Sequence, residues 1–175
     1  MKDLICNQTQ IPKEQWRYGF RSSAATGCGW IAVYNALRLM GYRADPGTLI
    51  RWFECRLPLV NGNFGTFVLD PAAFFRQQGF EVQVTSRCSD FDAAARQHDV
   101  CLLYYFWRSG WRIGCHFVTV QYADGHFTGY NTFRNSRSPD DLGESLEAFV
   151  RRQNYFGCVL TAVRKAPRQK HKPSV

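Results

Sequence analysis

The segment Cys28 to Met40, CGWIAVYNALRLM, constrains this chain more than any other. It contains no helix breaker after Gly29, and at helical spacing Cys28, Ala32, Asn35, Ala36 and Leu39 share one face. Ile31, Val33, Tyr34 and Leu37 make the rest of its circumference apolar as well. A helix apolar on all sides must be surrounded, so the fold has to be built around it. Thr26 is placed to cap its start and Gly41 to end it.

The neighbouring segments say what surrounds it. Met1 to Ser23 is polar and irregular and reads as an extended arm over the rest. Asp45-Pro46 opens a helix running to about Arg56, Asp70-Pro71 another to Gln78, and Ser89 to Gln97 a short connecting one, while Asn61 to Thr66 is turn chemistry. Phe80–Thr85, Val100–Trp107, Cys115–Tyr122, Phe127–Tyr130 and Tyr155–Val163 are β-branched and aromatic runs, and Asp140 to Gln153 reads as a surface helix. Helices first and then a mainly antiparallel sheet is an α+β arrangement, with the N-terminal buried helix that carries Cys28 packed on the sheet.

Charge adds less than it promises. Of the 22 basic residues behind the formal charge of +8, five lie between Arg164 and Val175 without an acidic residue, leaving 17 against 14 acidic ones elsewhere. The expected division is a domain over residues 1–165 and a basic, flexible tail over 166–175. No aromatic RNA-binding signature or zinc-finger spacing is present, so a nucleic-acid partner is not expected. No apolar stretch approaches a membrane span, and the N-terminus lacks the apolar core of a secretion signal. With seven cysteines and no C-x-x-C pair, the expectation is a cytoplasmic protein with reduced thiols.

Cys28 stands apart from the other six. A thiol reacts as thiolate, and a helix start with a neighbouring imidazole is a common way to favour that form. Of four histidines, His171 lies in the tail, His98 follows a helix in a polar context, and His126 adjoins the Asp124-Gly125 turn. His116 opens the apolar strand HFVTVQY. Asn131 lies 15 residues later, and the two are mirror positions about the midpoint of Ala123 and Asp124, the register of directly opposed residues in a hairpin. A histidine base works best when a third group holds its ring. Cys115 is expected on the opposite strand face, in the core, and Cys6, Cys55, Cys88, Cys101 and Cys158 as buried, inert thiols.

Gly27-Cys28-Gly29-Trp30 opening a buried helix, a single His116-Phe117-Val118-Thr119-Val120 strand and a hairpin-linked Asn131 resemble the papain-like cysteine peptidases. The resemblance is to the compact bacterial branch that includes the bacteriocin-leader-processing, double-glycine peptidases, and it covers about Gln15 to Val163. It implies a papain-like fold, catalysis by Cys28, His116 and Asn131 without cofactor or metal, and a peptide or protein substrate whose peptide or isopeptide amide is hydrolysed through a thioester. An acyltransferase or glutamine deamidase on the same fold, or an inactive papain-like binding protein, are the alternatives. The family's oxyanion glutamine, about six residues before the cysteine, is replaced here by Ser22 or Ser23. Gln15 is the nearest upstream glutamine and the candidate donor, with a serine hydroxyl or Asn35 as substitutes. Gly27, Gly29, Trp30, Trp107 and Trp111 are the candidate substrate-binding residues, Gly29 by leaving room beside the thiol.

Overall fold

The computed structural model describes residues 4–56, 65–133 and 136–166. The expected basic tail beyond 166 and most of the Asn61–Thr66 turn fall outside them. A two-stranded hairpin, β1 (Arg17–Tyr18) and β2 (Arg21–Ser22), leads into α1 (Ser23–Thr26) and α2 (Cys28–Leu39). Then come α3 (Pro46–Glu54), α4 (Asp70–Gln77), β3 (Glu81–Thr85), α5 (Phe91–Arg96), β4 (Val100–Ser109), β5 (Arg112–Ala123), β6 (His126–Tyr130), β7 (Asp140–Gly143), α6 (Leu146–Arg152) and β8 (Phe156–Arg164). Strands three to eight form one antiparallel sheet in the order β3-β8-β4-β5-β6-β7.

Period-two alternation along the central strands gives the sheet two apolar faces. Leu102, Tyr104 and Phe117 face α2, α3 and α4, and Leu103, Tyr105 and Val118 face α5 and α6. On the first face α2 is enclosed as its sequence requires: Trp30, Ile31, Val33 and Ala36 are wholly buried. Removing three large apolar side chains from water stabilises the fold by roughly 1.5–3 kcal/mol each. Thr119 adds a polar tie from β5, its hydroxyl donating to the Ala32 carbonyl at 3.0 Å.

Several local expectations change. Thr26 is the last residue of α1 and its buried hydroxyl has no partner among the described residues; Gly27 caps α2 without a side-chain bond. The two helices follow each other almost continuously, with Gly27 N–H bonded to Ser23 and Ile31 N–H to Gly27, so Thr26 is already helical and cannot fold back as a cap. The surface helix expected over Asp140 to Gln153 is a strand followed by a shorter helix. Gly143, at φ +90°, breaks the segment, and Ser145 restarts it by accepting the Ala148 N–H.

The N-terminal arm is more ordered than its composition implies. Asn35 of α2 accepts from the Ile5 N–H and donates to the Ile5 carbonyl, both at 2.9 Å, and Asn7 caps a turn of 3-10 helix over Gln8–Gln10. Cys101 and Cys158 are buried as expected, but Cys55 is exposed and Cys6 and Cys88 are partly so. Among the described residues, no helix is long and apolar enough to cross a membrane.

Candidate active site

The site is assembled where β6 ends. Asp124 and Gly125, at φ +51° and +85°, form a two-residue turn that pairs Ala123 with His126. The mirror point therefore falls between Asp124 and Gly125, one position later than the sequence reading placed it. His116 and Asn131 are for that reason not directly opposed: pairing ends at Thr119 with Tyr130. Asn131 leaves the strand in the left-handed conformation at φ +61°, which asparagine tolerates better than most residues. That turn brings the Asn131 main chain back over β5.

His116 consequently meets the backbone of Asn131 and not its side chain. Its Nε2 lies 2.6 Å from the Asn131 carbonyl oxygen. A carbonyl can only accept, so Nε2 carries the proton and neutral His116 presents a bare Nδ1. Burial holds the imidazole below its ordinary range, which the carbonyl bond partly offsets, so the ring is neutral near pH 7. The Asn131 side chain is committed elsewhere: Oδ1 accepts the Gln8 main-chain N–H and Nδ2 donates to Gln8 Oε1, each at 2.9 Å.

Cys28 is the first residue of α2 and is 8% exposed. The main-chain amides of Phe117 on β5 and of Cys28 and Gly29 favour its thiolate form. Phe117 is one residue beyond His116 on an edge that β6 no longer covers, so the thiol is seated against the strand that carries the imidazole. Burial outweighs their effect, and the thiol is pushed up to about 12. Cys115 is its neighbour, on the α2 side of β5 as the strand alternation requires, but it packs at the margin of the core and is partly exposed.

A cavity of about 430 Å³ opens beside these groups. His116, Cys115 and Asn131 line it together with Asn7, Gln8 and Thr9 of the arm and Ala24 and Ala25 of α1, while Tyr105, Trp107, Phe133 and Tyr155 supply an aromatic wall. Tyr105 and Tyr155 stack with centroids 3.8 Å apart. Cys28 is buried and is not among the lining residues. Among the described residues, no lining side chain is a carboxylate, a lysine or an arginine.

The remaining candidates divide clearly. Trp107 lines the cavity, lying across Gly114. Trp30 is wholly buried, its indole N–H donating to Ser23 at 3.1 Å, and Trp111 is fully exposed at the β4–β5 turn. Gly29 opens no space for a substrate, since a Cβ there would collide with Thr66, and one on Gly27 would meet Ser23 and Trp30. Gln15 is exposed and lines a separate cavity with Leu4 to Asn7, while the Asn35 amide is spent on Ile5. The glutamine found at the site is Gln8, which sequence spacing did not single out.

No protein-family profile and no curated protein matches the sequence. Among solved structures, the fold is similar to the peptidase domain of Streptococcus ComA, described as a bifunctional ABC transporter involved in a quorum-sensing pathway. The two share 13% identity at a TM-score of 0.53, over 79% of this chain and 91% of that one. With its buried helix on an antiparallel sheet, the fold is α+β and papain-like.

Proposed function

We propose that this chain is a cysteine-dependent hydrolase of a peptide or isopeptide amide, with Cys28 as nucleophile and His116 as base. The observation that carries the reading is the seating of a helix-start thiol against the strand of a neutral histidine whose Nε2–H is held by a main-chain carbonyl. That tautomer leaves Nδ1 free to take a proton. The papain-like fold supports the same reading, as does the peptidase nature of its structural neighbour.

In the proposed reaction Cys28 turns about χ1 into the cavity and its sulfur attacks the substrate carbonyl carbon as its proton passes to His116 Nδ1. The oxyanion collapses, the C–N bond breaks, and His116 returns the proton to the leaving amine. Water then attacks the thioester, again losing its proton to His116; the C–S bond breaks, His116 returns the proton to the Cys28 sulfur, and the acid departs. Transfer to an amine, or deamidation of a glutamine, would use the same thioester.

The test is an electrophilic peptide-mimetic thiol probe, with the labelled cysteine mapped by mass. Labelling should be lost in Cys28→Ala and His116→Ala and persist in Cys115→Ala; label that stays in Cys28→Ala removes the assignment. One observation favours a second reading, a peptide-binding protein on an inactive papain-like scaffold: the Cys28 thiol is buried and its proton held to about 12. Under that reading peptide would bind with equal affinity to wild type and Cys28→Ala, with no thioester trapped.

A further inference from the structure

We infer that Gln8 is a positioning residue for His116, acting through Asn131. The inference rests on reading His116 as the base. Asn131 is 3% exposed, and both of its side-chain bonds go to one partner: the Gln8 N–H to Oδ1, and Nδ2 to Gln8 Oε1. A closed pair of amide bonds in a buried setting fixes the plane of both groups, because turning either one leaves two polar atoms unpaired.

With the Asn131 side chain fixed in this way and its backbone left-handed, the remaining acceptor, the main-chain carbonyl, is turned onto His116 Nε2 at 2.6 Å. Gln8 thus does for His116 at one remove what a side-chain carboxamide would do directly, and it selects the same Nε2–H tautomer.

Gln8 is itself held from three sides, so it can impose an orientation and need not follow one. Its Nε2 donates to the Ala24 carbonyl at 3.3 Å, within the short helix that leads to Cys28. Asn7 caps the turn that contains it, and three residues earlier Ile5 is locked to Asn35 by a second reciprocal amide pair. The arm over residues 5–10 is therefore a working part of the site. Its anchors reach α2 through Asn35, α1 through Ala24 and the end of β6 through Asn131.

The experiment reads the His116 ring. Long-range 1H–15N spectra of labelled full-length protein at pH 8, with the His116 signals assigned by loss in His116→Gln, should show almost pure Nε2–H imidazole in wild type. Gln8→Met keeps the side-chain volume but cannot accept from Asn131 Nδ2. Asn131→Gly keeps the carbonyl and the left-handed backbone but removes the amide, so either variant can be read if the other does not fold. Each should raise the Nδ1–H form to a third or more of the population. The double variant should move it no further than either single change.

A wild-type His116 spectrum in both variants overturns the assignment. The readout needs no turnover, so it separates the two readings. Tautomers that shift in a protein whose Cys28 forms no thioester would uphold Gln8 as positioning residue and remove the hydrolase. Unmoved tautomers in an active enzyme would remove Gln8 alone.

Discussion

His116 donates its Nε2–H to the main-chain oxygen of Asn131, 2.6 Å away, while the Asn131 side chain faces Gln8. An orienting acceptor in the backbone survives side-chain substitution. Asn131→Gly is therefore expected to reduce hydrolysis only about tenfold, through disorder of the ring, whereas His116→Ala removes the proton acceptor and should cost about 10²–10⁴-fold. Steady-state rates of the two variants on one peptide check the ordering; equal losses would return the orienting role to the Asn131 side chain.

The Cys28 thiol is pushed up to about 12 beside a histidine that burial keeps neutral, so the resting site holds a thiol and an imidazole, not an ion pair. Alkylation of Cys28 by iodoacetamide should climb about tenfold per pH unit between pH 7 and pH 9. A rate constant that is flat across that range would mean a preformed thiolate.

Cys115 lines the cavity and is partly exposed, while Cys28 is buried and does not line it. A bulky, unguided maleimide should therefore modify Cys115 before Cys28, and a peptide-guided electrophile should reverse the order. Peptide mapping after short exposure reads both.

Burial depresses the His116 pKa from 6.5, so the folded state resists a proton that the unfolded state accepts. Above about pH 6.5 both states are neutral and His116 makes no difference to stability. Below it the unfolded chain alone binds the proton, and stability should fall by up to about 1.4 kcal/mol per pH unit until the folded pKa is reached. Urea midpoints at pH 7.5 and pH 5 should differ less in His116→Gln than in wild type.

Gly29 packs directly on Thr66, whose hydroxyl is 2.9 Å from that of Tyr18. Gly29→Ala must displace that loop and is expected to destabilise the fold by about 1–3 kcal/mol. Thermal unfolding of Gly29→Ala against Gly29→Ala/Thr66→Gly tests the cause, since the second change should recover part of the loss.

What could be read from the sequence followed how local each signal is. Helix α2, the helix opened by Asp45-Pro46 and the Asp124-Gly125 turn are written in neighbouring residues, and all are present. The hairpin register was missed by one position, because a mirror count cannot tell which residues adopt positive φ, and those residues define the loop. Ser145 was the sign that the expected helix over Asp140 to Gln153 starts late, and the apolar residues around it hid that sign. Gln15 was the nearest glutamine along the chain, yet Gln8 is the nearest in space, because the arm is turned back by Asn35 and Asn131. Nothing within the sequence window around Gln8 encodes a partner so far away.

That separation bears on how the protein comes to exist. Gln8 and Asn131 are 123 residues apart, and Cys28 and His116 lie between them. A chain emerging from the ribosome carries its thiol, and can form the helix behind it, long before the histidine or the turn that holds it has been synthesised. The nascent chain thus carries Cys28 through the synthesis of everything up to His116 before the site can form, and the site closes only when the arm over residues 5–10 meets the turn at Asn131.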